Sequence, residues 1–456
     1  MSRKPRCDRG PCRAIPALVA ALLAATGCRL DESVPFEVED RLGGIDPGRI
    51  VAIGDDFAAG AADGALYEDA QALSLPALLA LHLGGDPLLQ PLVSSDGLAI
   101  DEEDAGRLVL VRLTPLELDR APAGVPLLPS PGRPFDNLGV PGALVSEALT
   151  TESSATSTFG NPFYDLVLRG QGTFAEQVAE LEPTLVLFWI GTSDVLRYVA
   201  AGGDSDLVPG LPTPVGTFAN AYESLLDAVL ETTDQVVLFT IPDPRSMPLV
   251  HAVPGFVLDA ETGEPVMITV IEPVIDPETG QPVVDPVTGD TLQAARQSTV
   301  PLLGPLGPLA PADLVLLDAL SLLAEGDGIP VLVGGSGALL PDRAVLDAAE
   351  QSEVAAAVAG YNQAIRALAA DRDLPVVDVH ALVETLAGGG LVSDGILLSA
   401  DYGTGQAFSL DGARFTPKGY GVVANLVIDA LDARYGGSVP HLRTGALPGI
   451  PLLDLP

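Results

Sequence analysis

Two uninterrupted apolar runs, each closed by a glycine-aspartate turn, constrain the fold more than any other feature of this chain. Ile50-Val51-Ala52-Ile53 runs into Gly54-Asp55-Asp56-Phe57, and Leu185-Val186-Leu187-Phe188-Trp189-Ile190 runs into Gly191-Thr192-Ser193-Asp194. A third, Leu374–Val379, follows near the carboxyl end. Strands apolar on both faces need cover on both faces, which is the condition of a parallel sheet between helices.

The segments between these runs supply that cover. The reading places strands over Arg49 to Ile53, Asp136–Val140, Leu185–Ile190, Gln235–Ile241 and Leu374–Val379. It places helices over Leu66 to Leu83, Thr173–Leu181 and Thr217–Glu231. Pro76 breaks the first helical pattern, so two short helices remain an alternative there. Val354, Val358, Tyr361, Ile365 and Leu368 form a 3.6-residue stripe, and Tyr420, Val423, Val427 and Leu431 form another within Lys418–Ala433. Strands alternating with helices at this spacing predict an α/β domain, a flavodoxin-like parallel sheet flanked by helices.

The 47% hydrophobic and 18% charged composition is that of a globular chain, and 456 residues suit one α/β domain with insertions. Net charge is -38, with lysine only at Lys4 and Lys418. Such a surface repels nucleic acid and anionic lipid head groups, so neither is expected as a partner. The first residues are the exception. Arg3, Lys4, Arg6, Arg9 and Arg13 precede a short apolar stretch, Ala14 to Ala25, too short to span a bilayer and ending in small residues. This predicts an export signal over residues 1–27. Ala25-Thr26-Gly27-Cys28 resembles a bacterial lipobox, which implies cleavage before Cys28, acylation of that cysteine and, with Arg29 next, a place in the outer membrane. Cys7 and Cys12 would leave with the signal, so no internal disulfide is expected. The signal carries a net +4, so the mature chain would hold about -42.

The expected organisation is therefore a signal over 1–27, a tether over 28–46, one domain over 47–436 and a Pro- and Leu-rich tail over 437–456. Two insertions interrupt the domain, at about 84–134 and 254–310. The first includes a β-like stretch, Leu108 to Leu113. In the second, Asp259-Ala260-Glu261-Thr262-Gly263 recurs as Asp276-Pro277-Glu278-Thr279-Gly280 and, more weakly, as Asp285-Pro286-Val287-Thr288-Gly289. Asp at the turn start and Gly where positive φ is wanted predict successive hairpins. These Asp-rich turns lack an EF-hand's run of oxygen ligands, so solvated turns are the reading, with an acidic cation-binding surface as an alternative.

Four blocks of the chain resemble those of the SGNH/GDSL hydrolases, in the same order. They are Gly54-Asp55-Asp56-Phe57, Asn137-Leu138-Gly139-Val140-Pro141-Gly142, Gly191-Thr192-Ser193-Asp194, and Asp411-Gly412-Ala413-Arg414 followed by Phe415-Thr416-Pro417. In that family a Ser attacks an ester carbonyl, a His takes its proton and an Asp orients the His. The oxyanion is held by backbone N–H groups and an Asn amide. The resemblance implies the SGNH hydrolase fold, ester bonds as the substrate class and no cofactor. It puts Asp56, Asp411 and Arg414 at the three catalytic positions and Gly142 and Ser193 at the oxyanion hole. Asp stands for the Ser, Ser for the Asn and Arg for the His.

These replacements alter the chemistry. Arg414 cannot act as a base, because a guanidinium does not deprotonate in proteins. None of His82, His251, His380 and His441 falls at the required spacing; His380 is the nearest reserve. Asp56 and Asp411 flanking Arg414 predict a charge-assisted cluster in place of the Ser–His hydrogen bond. Asp55, Asp56, Asp194 and Asp411 could gather a divalent cation, but a guanidinium among them opposes it, so no metal is expected. The expected protein is an envelope lipoprotein with a disabled hydrolase site that binds a small ester or glycan ligand or serves structurally. The alternative is an active esterase using Asp56.

Overall fold

In the computed structural model the described residues are 41–450, except 114–115, 129–130 and 260–261. The expected export signal, Cys28 and most of the expected tether lie outside them. Five strands form one parallel sheet: β1 (Ile50–Gly54), β2 (Asn137–Gly139), β3 (Leu185–Trp189), β4 (Val236–Phe239) and β5 (Val376–Val377). Their order across the sheet is β2-β1-β3-β4-β5, with Gly54 facing Gly139 on one side and Trp189 on the other. Every residue of β1, β3 and β4 is buried, as the apolar runs require. The fold is thus mixed α/β, and its strand order is that of flavodoxin-like sheets.

The sequence direction reverses between β1 and β3. Loops leaving the carboxyl ends of these two strands diverge to opposite faces, and the crevice between them is where such sheets hold their sites. The turn after β1 is tight enough to demand glycine: a Cβ on Gly54 (φ +154) would lie 1.8 Å from the Trp189 carbonyl oxygen. Phe57, Trp189 and Phe239 stack beneath this point, with centroids 5.0 and 4.7 Å apart.

Helices cover both faces: α1 (Asp56–Ala59), α2 (Leu75–Leu83), α3 (Phe174–Leu181), α4 (Ser193–Ala200), α5 (Val215–Leu230), α6 (Ala348–Arg372), α7 (Val379–Ala387) and α8 (Pro417–Tyr435). The single helix expected over Leu66 to Leu83 is divided. A short turn, Glu68–Gln71, precedes α2, where Pro76 sits in the first turn and its missing N–H costs nothing. Val354, Val358, Tyr361 and Ile365 are the buried stripe of α6, while Leu368 at its margin is only partly covered. The strand expected over Leu374–Val379 shrinks to two residues, because Asp378 accepts the Ala381 N–H and starts α7.

Both insertions form antiparallel ribbons. Ala105–Arg112 pairs with Glu117–Pro122 in the first, and Met267–Pro273 with Gln293–Thr299 in the second. The three Asp-to-Gly turns close as expected, the Gly263, Gly280 and Gly289 N–H groups donating to the carbonyls of Asp259, Asp276 and Asp285. Each Asp Oδ1 also accepts an N–H from its own turn, an Asx-type bond that fixes the turn locally. A small separate core, with Val257, Val300, Leu302, Val315 and Leu340, underlies the second insertion.

The tether expected over 28–46 ends earlier than its composition suggests. Gly44 N–H donates to the Tyr435 carbonyl (2.8 Å), Ser438 N–H donates to that of Arg41 (2.8 Å), and Ile45 is buried. The last six residues of that stretch are docked on the end of α8. Among the described residues, no helix is long and apolar enough to cross a membrane.

Candidate active site: a carboxylate-guanidinium plug

Four chain segments converge at the carboxyl ends of β1, β2 and β3. Asp55 and Asp56 follow β1, Gly142 follows β2 and Ser193 opens α4 after β3. The Asp411–Arg414 turn comes from the loop before α8. That loop is pinned to the region after α1: Asp63 N–H donates to Ser409 Oγ (2.9 Å), Leu410 N–H to Asp63 Oδ1 (2.9 Å) and Gly64 N–H to Asp411 Oδ2 (2.7 Å). Thr416 then caps α8 by accepting the Gly419 N–H. These bonds place residue 414 above residue 56, although 358 positions separate them.

The Asp56 carboxylate is 1% exposed and fully engaged. Arg414 donates to its Oδ1 from both Nη2 (2.9 Å) and Nε (3.2 Å). Ser193 Oγ donates to its Oδ2 at 2.7 Å, and the Gly142 N–H donates to the same oxygen at 3.4 Å. The cluster of Asp56 and Asp411 on Arg414 expected from sequence is present. The guanidinium converges on one oxygen rather than gripping both, because Ser193 and Gly142 hold the other. Asp411 accepts the N–H groups of Ala413 and Arg414 (2.8 Å each) on Oδ1, and Arg414 Nη1 reaches its Oδ2 more weakly at 3.4 Å.

Burial opposes ionisation of Asp56, but the Arg414 charge, then the Ser193 hydroxyl, hold its pKa below the usual carboxylate range. Burial likewise opposes the Arg414 charge, and Asp56 followed by Asp411 more than compensates, raising its pKa. The pair is thus ionised on both sides.

Sequence reasoning considered Asp55 only as one of four acids that could gather a cation, yet it ties the site together. Its Oδ2 accepts the N–H groups of Gly191 (3.0 Å), Thr192 (2.7 Å) and Ser193 (3.1 Å), and Oδ1 that of Phe57 (3.4 Å). Burial, then the Asp56 charge, raise its pKa, against the pull of these donors. Asp194 is fully buried and holds Val145 N–H (2.9 Å) and Thr213 Oγ1 (2.6 Å); burial pushes it up to about 7. Arg197 is a second guanidinium that the sequence reading missed. It donates to the Gly142 carbonyl (3.3 Å) and lies over the Phe159 ring, and a Cβ on Gly142 (φ +75) would meet it at 2.8 Å. Its i,i+4 spacing from Ser193 on α4 was the available signal.

Three of the four histidines are engaged elsewhere. His82 bonds the Pro440 carbonyl, His251 that of Arg245, and His441 the Asp429 carboxylate. His380 Nδ1 is buried with no hydrogen-bond partner. None bonds to Asp56, Asp411 or Arg414. Among the described residues, no group of three or more His, Cys, Asp or Glu is arranged to hold a metal ion.

Chemically, the arrangement is closed. A carboxylate nucleophile needs a free lone pair and a base to activate water for the second step. Both oxygens of Asp56 are taken, and the side chain seated on it, Arg414, is a permanent cation. Comparison with known proteins adds no assignment: no protein-family model, curated protein or solved structure matches the chain.

Proposed function

We propose that this chain is an exported envelope lipoprotein of the SGNH/GDSL hydrolase lineage, its ester-cleaving site converted to an ion-paired plug. The strand order and the convergence of the four sequence blocks at the switch point of the sheet support that lineage. The observation that carries the loss of activity is the Arg414 guanidinium seated on Asp56 Oδ1, with Ser193 and Gly142 on Oδ2. The carboxylate fills the space where an oxyanion would be stabilised, and the side chain seated on it, Arg414, cannot accept a proton. The protein then acts as a binding or structural module at the envelope, anchored through Cys28.

Loss of the Ser or the His of a hydrolase triad costs on the order of a million-fold in turnover. The unmodified protein should therefore leave a short-chain nitrophenyl ester at the background rate. The triple variant Asp56→Ser, Ser193→Asn, Arg414→His restores nucleophile, oxyanion amide and base, with Asp411 already positioned to orient the imidazole. Ester turnover by this variant, lost again on Asp411→Asn, is the expected outcome. Robust turnover by the unmodified protein that disappears in Asp56→Asn would refute the reading. For the anchor, fatty-acid labelling in a lipoprotein-processing host should require Cys28, and equal labelling of Cys28→Ser would remove that part.

A further inference from the structure

Acidic residues recur along most of this chain, yet two stretches, 297–312 and 328–341, hold no charged side chain. The fold joins them over the small second core. Leu303 N–H donates to the Gly328 carbonyl and Leu340 N–H to that of Leu303 (2.8 Å each). The first stretch turns back at Gly304 and Gly307, which pair across a hairpin tipped by Pro305 and Leu306. The second passes through a short turn, Val331–Val333, between Pro330 and Gly334. Leu302, Leu309 and Leu340 are buried beneath, but the core does not take up all the apolar side chains of these loops. Leu306 is wholly exposed, Leu332 is 82% exposed, and Val331 and Leu339 are exposed as well. One exposed leucine is ordinary; four apolar side chains on two joined loops make a patch.

The backbone of the patch also suits an apolar medium. The N–H groups of Val333, Gly334 and Gly337 donate to the carbonyls of Pro330, Val331 and Ile329. Pro305, Pro308 and Pro330 bring no N–H at all. Few donors would therefore leave water unpaired if the loops were covered. Asp327, at the foot of the second loop, is committed to the Ser336 hydroxyl (2.7 Å). Size and charge then decide the occupant. A specific protein interface engages about 20–30 residues on each side, far more than this patch presents. A second copy would also set one net charge of -38 against another. A lipid layer asks for neither a complementary shape nor an opposite charge, only apolar tips that can enter it. Anionic head groups would repel so acidic a chain, so the fitting lipid is zwitterionic.

We propose that these two loops seat the chain on a neutral phospholipid surface, with Leu306 and Leu332 entering the acyl layer. The contact is separate from acylation at Cys28 and from the plug, so each can fail alone. Flotation with phosphatidylcholine vesicles tests it, using the chain from Arg29 onward, which keeps every described residue and lacks Cys28. The protein should float with the vesicles. Leu306→Ser with Leu332→Ser should weaken partitioning by about tenfold or more, as two leucines leave the acyl layer. Leu81→Ser, at a similarly exposed position on α2, should change nothing. Leu306→Trp gives a reading that does not rest on lost binding. Lipids brominated on their acyl chains should quench its added fluorescence, while the parent chain, whose only tryptophan is the buried Trp189, should keep its own. No flotation, full partitioning of the double serine variant, or an unquenched Leu306→Trp signal would overturn the proposal. So would flotation with phosphatidylglycerol vesicles alone, or dimers that the same serine substitutions dissolve in place of vesicle binding.

Discussion

Replacing Arg414 by Met isolates the energetics of the plug. The change keeps a long apolar stem and removes the guanidinium, leaving Asp56 Oδ1 with no donor while Oδ2 keeps Ser193 and Gly142. Breaking one partner of a buried ion pair costs about 3–5 kcal/mol. Here the cost has a ceiling, because the stranded carboxyl can escape by taking a proton. Starting from its ordinary pKa of 3.8, holding it neutral costs about 4 kcal/mol at pH 7 and about 1.6 kcal/mol at pH 5. The destabilisation by Arg414→Met should therefore be about 3–4 kcal/mol at pH 7 and fall below about 2 kcal/mol at pH 5. Asp56→Asn with Arg414→Met removes both charges and should lose at least about 1.5 kcal/mol less than the two single losses together. Denaturant unfolding at the two pH values, with unchanged slope as the control, reads all four proteins. Equal destabilisation at pH 5 and pH 7, with the double variant additive to within about 0.5 kcal/mol, would show that Arg414 does not neutralise Asp56.

Three further outcomes follow from the geometry. Asp194, pushed up to about 7 by burial, binds a proton in the folded state that the unfolded chain has released. Between about pH 4 and pH 7 the folded state thus holds more protons, and stability falls as pH rises by an amount on the order of 4 kcal/mol, then levels off. Asp194→Asn should reduce that slope in thermal unfolding followed from pH 4.5 to 7.5, Asp55, pushed up to about 8, supplying a further part of it; an unaltered slope would refute the assignment. Asp56, held low, acts in the opposite sense, contributing stability that is lost as pH drops through its depressed pKa; Asp56→Asn should therefore soften unfolding in strong acid, measured by circular dichroism. Gly54→Ala should yield no folded protein, because its Cβ would sit 1.8 Å from a carbonyl in the central strand pair, and a native near-ultraviolet spectrum for this variant would contradict that contact.

Much of this architecture was legible in the chain because it depends on local pattern. Apolar runs on both faces of β1 and β3 can satisfy themselves only in a covered parallel sheet, and the 3.6-residue stripe of α6 needs no knowledge of what it packs against. The repeated Asp-to-Gly turns announce their hairpins for the same reason. The encounter of Asp56 with Arg414 was legible too, since two blocks in the expected order each carried a replacement of opposite charge. Direction and burial were not. Which oxygen of Asp56 the guanidinium takes depends on Ser193 and Gly142, brought from two other strands. Asp55 reads only as one of several acids near the site until three N–H groups from position 191 onward close on it. Residues 41–46 look like a tether by composition, yet their backbone completes the end of α8. Periodicity and turn chemistry act over a few residues, so the sequence by itself determined the elements and the identity of the replaced groups. Desolvation and hydrogen-bond direction are set by residues hundreds of positions away, so only the packed structure decided that those groups close the site upon themselves.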